Sequence, residues 1–119
     1  MGNPVILAVK TKENEYSSIY VHWADGSKKL LNKHYKDKKK VESLIALGDL
    51  SVLGNEIGEK QDFDNPLKDK SWCLAYSRDR GEEDVEARVG LTGEELQGEI
   101  SVYGAFYILV FDNGKWKKF

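Results

Sequence analysis

A single cysteine, Cys73, stands among the 119 residues, so no disulfide can close within the chain. No cysteine and histidine cluster has the spacing of a structural zinc site. Asp62, Asp64 and Asp69 lack the glycine and the distal glutamate of a calcium loop. Neither a metal nor a cofactor is expected. A glycine-rich phosphate loop and a nucleophile with a base at catalytic spacing are also missing, which leaves little machinery for chemistry. Long apolar runs are absent as well. Pro4 to Val9 is cut off by Lys10, Lys12, Glu13 and Glu15, too early for a signal peptide or a membrane span. The expectation is a chain that stays in the cytoplasm where it is made. With only 2 prolines and 11 glycines, the composition is not that of a fibrous or disordered chain.

What is present suffices for one domain. Hydrophobic residues make up 40% and aromatics 11%, enough for one core in a chain of this length and not for two. The net charge of −2 conceals an uneven spread. Residues 28–40 hold seven lysines, Lys28, Lys29, Lys33, Lys36, Lys38, Lys39 and Lys40, against Asp37 alone. The rest of the chain is acidic, so the molecule reads as a dipole and not as a polycation.

Hydrophobic periodicity predicts strands over Val5–Lys10 and Ser18–Trp23, the second alternating Ile19, Val21 and Trp23 against Ser18, Tyr20 and His22. After Asp25-Gly26, Ser27 is a candidate N-cap for a helix burying Leu30 and Leu31. Asp37 is a candidate cap for a second helix with Val41, Leu44 and Ile45 on one face and Gly48 just past its end. Asp49–Gly54 reads as a single turn tucked under the core, and 54–70 as a long connection anchored by Ile57 and Phe63. Ser71–Ser77 alternates as a strand, followed by a charged turn over 78–84 and an edge strand over Val85–Val89. Thr92 with Glu95 is a capping-box signature for a short helix through Ile100. Ala105–Phe111, Asp112-Asn113-Gly114 and Lys115–Phe119 predict a closing hairpin. The order is ββααββαββ, and the fold class α+β: a mainly antiparallel sheet with two or three helices packed on one face. Tyr107, Leu109 and Phe111 need cover in addition to that of Phe106, Ile108 and Val110, from helices or from another subunit, which makes a homo-oligomer the expectation.

Three patterns could carry function. The lysine block could hold phosphates, although a solvated helix face is the ordinary alternative. The acidic remainder argues against sequence-independent duplex binding, and arginine and aromatic interleaving, the usual companions of nucleic-acid sites, are absent, so sequence-specific DNA binding is not expected either. Arg78, Asp79 and Arg80 follow a predicted core strand, where two guanidinium forks could meet a phosphate or carboxylate with Asp79 orienting one of them. The alternative there is a charged turn paired with itself. Tyr20, His22 and Trp23 place an imidazole beside rings able to stack, with ordinary packing as the alternative. Cys73, flanked by Trp72 and Leu74, reads as a buried, inert thiol.

The runs Ile19-Tyr20-Val21-His22-Trp23, Val41 through Ser51, Cys73 through Glu82 with its Arg-Asp-Arg-Gly-Glu, and Phe111 through Trp116 together resemble a family of small bacteriophage and prophage accessory proteins. The resemblance spans roughly residues 19–116. The chain departs from the family pattern where Ala24 intervenes before Asp25-Gly26 and Ser27-Lys28 replaces a Tyr-Pro-like turn. The resemblance implies a counter-defence role, binding a host protein or sequestering a nucleotide immune signal. The leading expectation is therefore a non-enzymatic homo-oligomer holding a cyclic nucleotide or ADP-ribose-type ligand with Arg78, Asp79, Arg80, His22, Trp23 and Tyr20. The alternatives are an inhibitor that docks on a host defence protein, and a nucleotide phosphodiesterase or nuclease using His22.

Overall fold

Val5 to Val9 are all apolar and all buried, the pattern of a strand covered on both faces. The computed structural model describes residues 3–119 and places this strand, β1 (Val5–Lys12), inside a seven-stranded sheet. It is followed by β2 (Glu15–Trp23), α1 (Ser27–His34), α2 (Lys38–Ala46), β3 (Leu50–Val52), β4 (Leu74–Ala75), α3 (Tyr76–Arg80), β5 (Arg88–Leu91), α4 (Gly93–Tyr103), β6 (Ile108–Asp112) and β7 (Lys115–Lys118). The sheet order is β4-β3-β2-β1-β6-β7. β1 pairs antiparallel with β2 and parallel with β6. The free edge of β2 is shared: its first half pairs antiparallel with β5, through Tyr16 and Ser18, and its second half parallel with β3, through Val21 and Trp23.

The class is α+β, and most strand pairs are antiparallel, as the patterning predicts. α1 and α2 cover one face, where Leu31, Tyr35, Val41, Leu44 and Ile45 pack on Val5, Leu7, Ile19, Val21 and Leu109. The opposite face is covered as well: Leu96, Ile100 and Tyr103 of α4 pack on Ile6, Ala8, Ile108 and Val110. This second layer answers the demand for extra cover. Leu109 and Phe111 are buried within the chain and Tyr107 packs against the same cluster, whereas Phe106, expected to be buried with Ile108 and Val110, is exposed.

Local chemistry explains most boundaries. Asp37 caps α2 by accepting from the Lys39 N–H, and Thr92 with Glu95 forms the expected capping box on α4. Gly48 follows α2 with φ of 80°, and a Cβ there would lie 2.5 Å from the Val85 carbonyl oxygen, so the turn needs glycine for both reasons. Other expectations are corrected. The N-cap of α1 is Gly26, and Ser27 makes no capping bond. Residues 50–52 form β3 instead of a single turn. The predicted strand over Ser71–Ser77 is reduced to Leu74–Ala75, because Asp79 turns back to accept from the Ala75 N–H and starts α3. The edge strand lies at Arg88–Leu91 and not at Val85–Val89.

Candidate functional site

Asp49 ties Tyr20, one of the residues expected to bind a ligand, to α3 and β5. Its carboxylate accepts from the Tyr20 N–H at 2.8 Å and its carbonyl from the Tyr76 N–H at 3.2 Å, joining β2 to the start of α3. Arg88 bonds Asp49 at 2.6 Å and reaches Glu99 on α4 at 3.1 Å, while the Ser18 hydroxyl donates to Glu99 at 2.5 Å. Burial opposes the Arg88 charge, but its bonds to Glu99 and Asp49 prevail and push its pKa up. The Arg88 guanidinium also lies 4.4 Å from the centre of the Tyr103 ring. This interior charge cluster was missed in the sequence. The only hint was two acids, Asp49 and Glu99, standing at positions next to apolar core residues.

On this support, Tyr20, His22 and Trp23 do come together. The Tyr20 hydroxyl and His22 Nδ1 are 2.8 Å apart, and the His22 and Trp23 rings meet edge to face at 5.0 Å. Tyr20 also packs on Tyr103 at 5.8 Å. Burial, with Tyr76 and Asp49 nearby, raises the Tyr20 pKa. Among the described residues, the hydrogen-bond partner of the His22 side chain is the Tyr20 hydroxyl and not a carboxylate.

The arginines go elsewhere. Arg78 Nε and Nη2 bond Asp79 at 3.0 and 3.2 Å, Nη1 bonds the Ile57 carbonyl at 2.8 Å, and Nη2 also bonds the Cys73 carbonyl at 2.7 Å. Asp79, whose side chain is fully buried, accepts in addition from the Gln61 and Ala75 N–H groups. The pair is a bolt that fastens the 57–61 loop to β4 and α3. With four of its five N–H donors committed to its own chain, Arg78 has little left for an anion. Arg80 is exposed, pairs with Glu82 at 3.4 Å and lies over the Phe63 ring. The two forks therefore do not converge on a ligand.

Four surface depressions are lined by none of Tyr20, His22, Trp23, Arg78, Asp79 and Arg80. One adjoins Trp23 through the sheet. Trp23 pairs with Val52 in the β2–β3 register, so the two side chains share a face, and Val52 borders a depression of about 180 Å³ with Leu67, Trp72, Leu74, Lys68 and Lys70. Trp23 is 45% exposed, Val52 37% and Leu67 48%. Lys70 lies 5.7 Å from the centre of the Trp72 ring. The result is a continuous apolar surface with a hollow at one side and lysines on its rim.

Among the described residues no group of three or more His, Cys, Asp or Glu side chains could hold a metal ion, and no helix is long and apolar enough to cross a membrane. Comparison with protein-family models, with curated proteins and with solved structures finds no match.

Proposed function

We propose that the chain works by docking on a partner protein through the Trp23–Val52–Leu67 surface, as a counter-defence inhibitor of the class its resemblance to phage accessory proteins implies. The observation that carries this reading is the exposure of Val52 and Leu67 at one hollow, with the exposed Trp23 beside Val52 in the β2–β3 register. Exposed apolar residues scattered singly need no explanation, but a contiguous patch beside a concavity fits an interface. Tryptophan is among the residue types enriched where a few side chains dominate such interfaces. The hollow, of about 180 Å³ and open to solvent, has room for one aromatic or branched side chain of the partner. Lys68 and Lys70 on the rim favour a partner surface that is acidic around that projecting side chain.

Binding without chemistry fits the rest of the site. His22 hydrogen-bonds a tyrosine hydroxyl, and the one thiol, Cys73, is buried with its pKa raised mainly by that burial. A nucleotide held between Arg78, Arg80 and His22 loses its support, because Arg78 binds its own loop and Arg80 pairs with Glu82.

A photo-crosslinking amino acid at position 52 tests the docking reading in lysate of the bacterial host. The expected outcome is one dominant adduct that disappears when Trp23→Ala is added. Adducts spread over many proteins, or one insensitive to Trp23→Ala, would overturn it.

A further inference from the structure

Away from the Trp23 surface, the lysine block and the closing hairpin face each other across two adjoining depressions. One, of about 290 Å³, is lined by Lys10, Lys36, Lys38, Asp112, Asn113 and Gly114 among others. The next, of about 460 Å³, is lined by Asn32, Lys36, Gly114, Lys115, Trp116 and Lys117. They share Lys36 and Gly114, so they form one groove with Lys36 between two ends. Lys38 stands at one end, Lys115 and Lys117 at the other.

The charge in this groove is largely unspent. Lys10 is engaged by Glu13 at 3.5 Å and Asp112 at 3.9 Å. Lys36, Lys38, Lys115 and Lys117 form no ion pair with a carboxylate of the described residues. The Asn32 side-chain carbonyl is taken by the Trp116 N–H at 3.1 Å, which leaves its amide N–H groups as donors at the groove wall. Beside Gly114 nothing lies within 4 Å of where a Cβ would stand, so a ligand can approach the main chain there. Four ammonium groups outside any ion pair, with a free amide donor, outweigh the one lining carboxylate, Asp112, which Lys10 engages, and favour a compact, multiply charged anion.

We infer that this groove binds a compact ligand carrying at least two phosphoryl groups, one on either side of Lys36, such as a polyphosphate or a dinucleotide. Two features select this class. A single phosphate would occupy one end and leave the ammonium groups of the other unmatched. A long nucleic acid would run off the groove onto a molecule that is acidic outside residues 28–40 and whose net charge is −2, where it would be repelled. The inference is independent of the docking surface, which lies at the other end of β2 from the hairpin turn.

Calorimetry on the full chain at low salt, with orthophosphate, pyrophosphate, tripolyphosphate, a 3′,3′-cyclic dinucleotide and a single-stranded oligonucleotide as probes, decides it. Affinity should rise from orthophosphate to the di- and triphosphate probes. Lys36→Gln should lower it roughly tenfold, and Lys38→Gln and Lys115→Gln should each lower it with an unchanged unfolding midpoint. Equal affinity for orthophosphate and pyrophosphate would overturn the two-phosphate assignment, and tighter binding of the oligonucleotide would overturn the compact one. No binding of any probe, or binding insensitive to Lys36→Gln, would remove the groove as a site.

Discussion

Tyr35 and Cys73 show how one residue's chemistry reaches the whole fold. Tyr35 is fully buried, its hydroxyl donates to the Gly54 carbonyl at 2.7 Å, and the Cys73 sulfur lies 3.4 Å away. Burial first, and then the neighbouring thiol, push the Tyr35 pKa far above its ordinary 10.0. Burial likewise raises that of Cys73 above 9.0, with the bond to Tyr35 and the Gly54 N–H pulling the other way. Both groups are neutral in the folded protein, and the unfolded chain deprotonates first as pH rises. Their contribution is therefore whole below the unfolded thiol's pKa, starts to fall as pH passes the unfolded thiol and phenol values, and goes on falling until the raised folded values are reached. The urea midpoint should fall between about pH 8 and pH 10.5, and fall less in Tyr35→Phe, which itself should cost about 1 kcal/mol at neutral pH through the lost bond. Denaturant titrations at several pH values check this. The burial of Cys73 was legible from its apolar neighbours; its tyrosine partner, 38 residues away, was not.

Among the elements, those defined by local signals were legible, and those defined by distant partners were not. Asp37, Gly48, the Thr92–Glu95 pair and Asp112-Asn113-Gly114 each satisfy or free their own backbone, and each marks a boundary where the sequence places one. β3 is three residues long and gains its status from pairing with Val21 and Trp23, which no periodicity over three residues reveals. The alternation over 71–77 predicts a strand where α3 begins, because the bonds of Asp79 backwards to Ala75 and across to Gln61 leave no periodic signal. The same bonds explain why Arg78 is structural. Arg78→Ala should destabilise by about 3 kcal/mol, since it leaves the buried Asp79 carboxylate without its cation. Arg78→Lys should restore little of that, because an ammonium cannot reproduce the fork that holds two carbonyls and a carboxylate. Arg80→Ala should change stability by less than about 0.5 kcal/mol, as expected of an exposed side chain. Thermal unfolding of the three variants separates these outcomes.

For the molecule as a whole, the sheet has helices on both faces, and the apolar surface left over is not the one the pattern suggested. The strongly apolar β6 is absorbed between α4 and the α1–α2 layer. Exposed apolar side chains lie where β2, β3 and the 66–74 segment meet, and also at Val89, Val102, Phe106 and Phe119. The sequence placed Trp23 at the end of a strand but could not show that Val52 stands beside it, because that needed β3. Residues 20–23 thus came together as expected, while the arginines meant to complete a ligand pocket were drawn into holding a loop. The fold leaves two separate surfaces, an apolar one around Trp23 and a cationic one around Lys36, and the proposed docking rests on the first. The most direct test is the affinity of the captured partner for three proteins: wild type, Trp23→Ala and Lys36→Gln. The account predicts at least a roughly tenfold loss for Trp23→Ala at an unchanged unfolding midpoint, and wild-type affinity for Lys36→Gln. Undiminished binding by Trp23→Ala would contradict it.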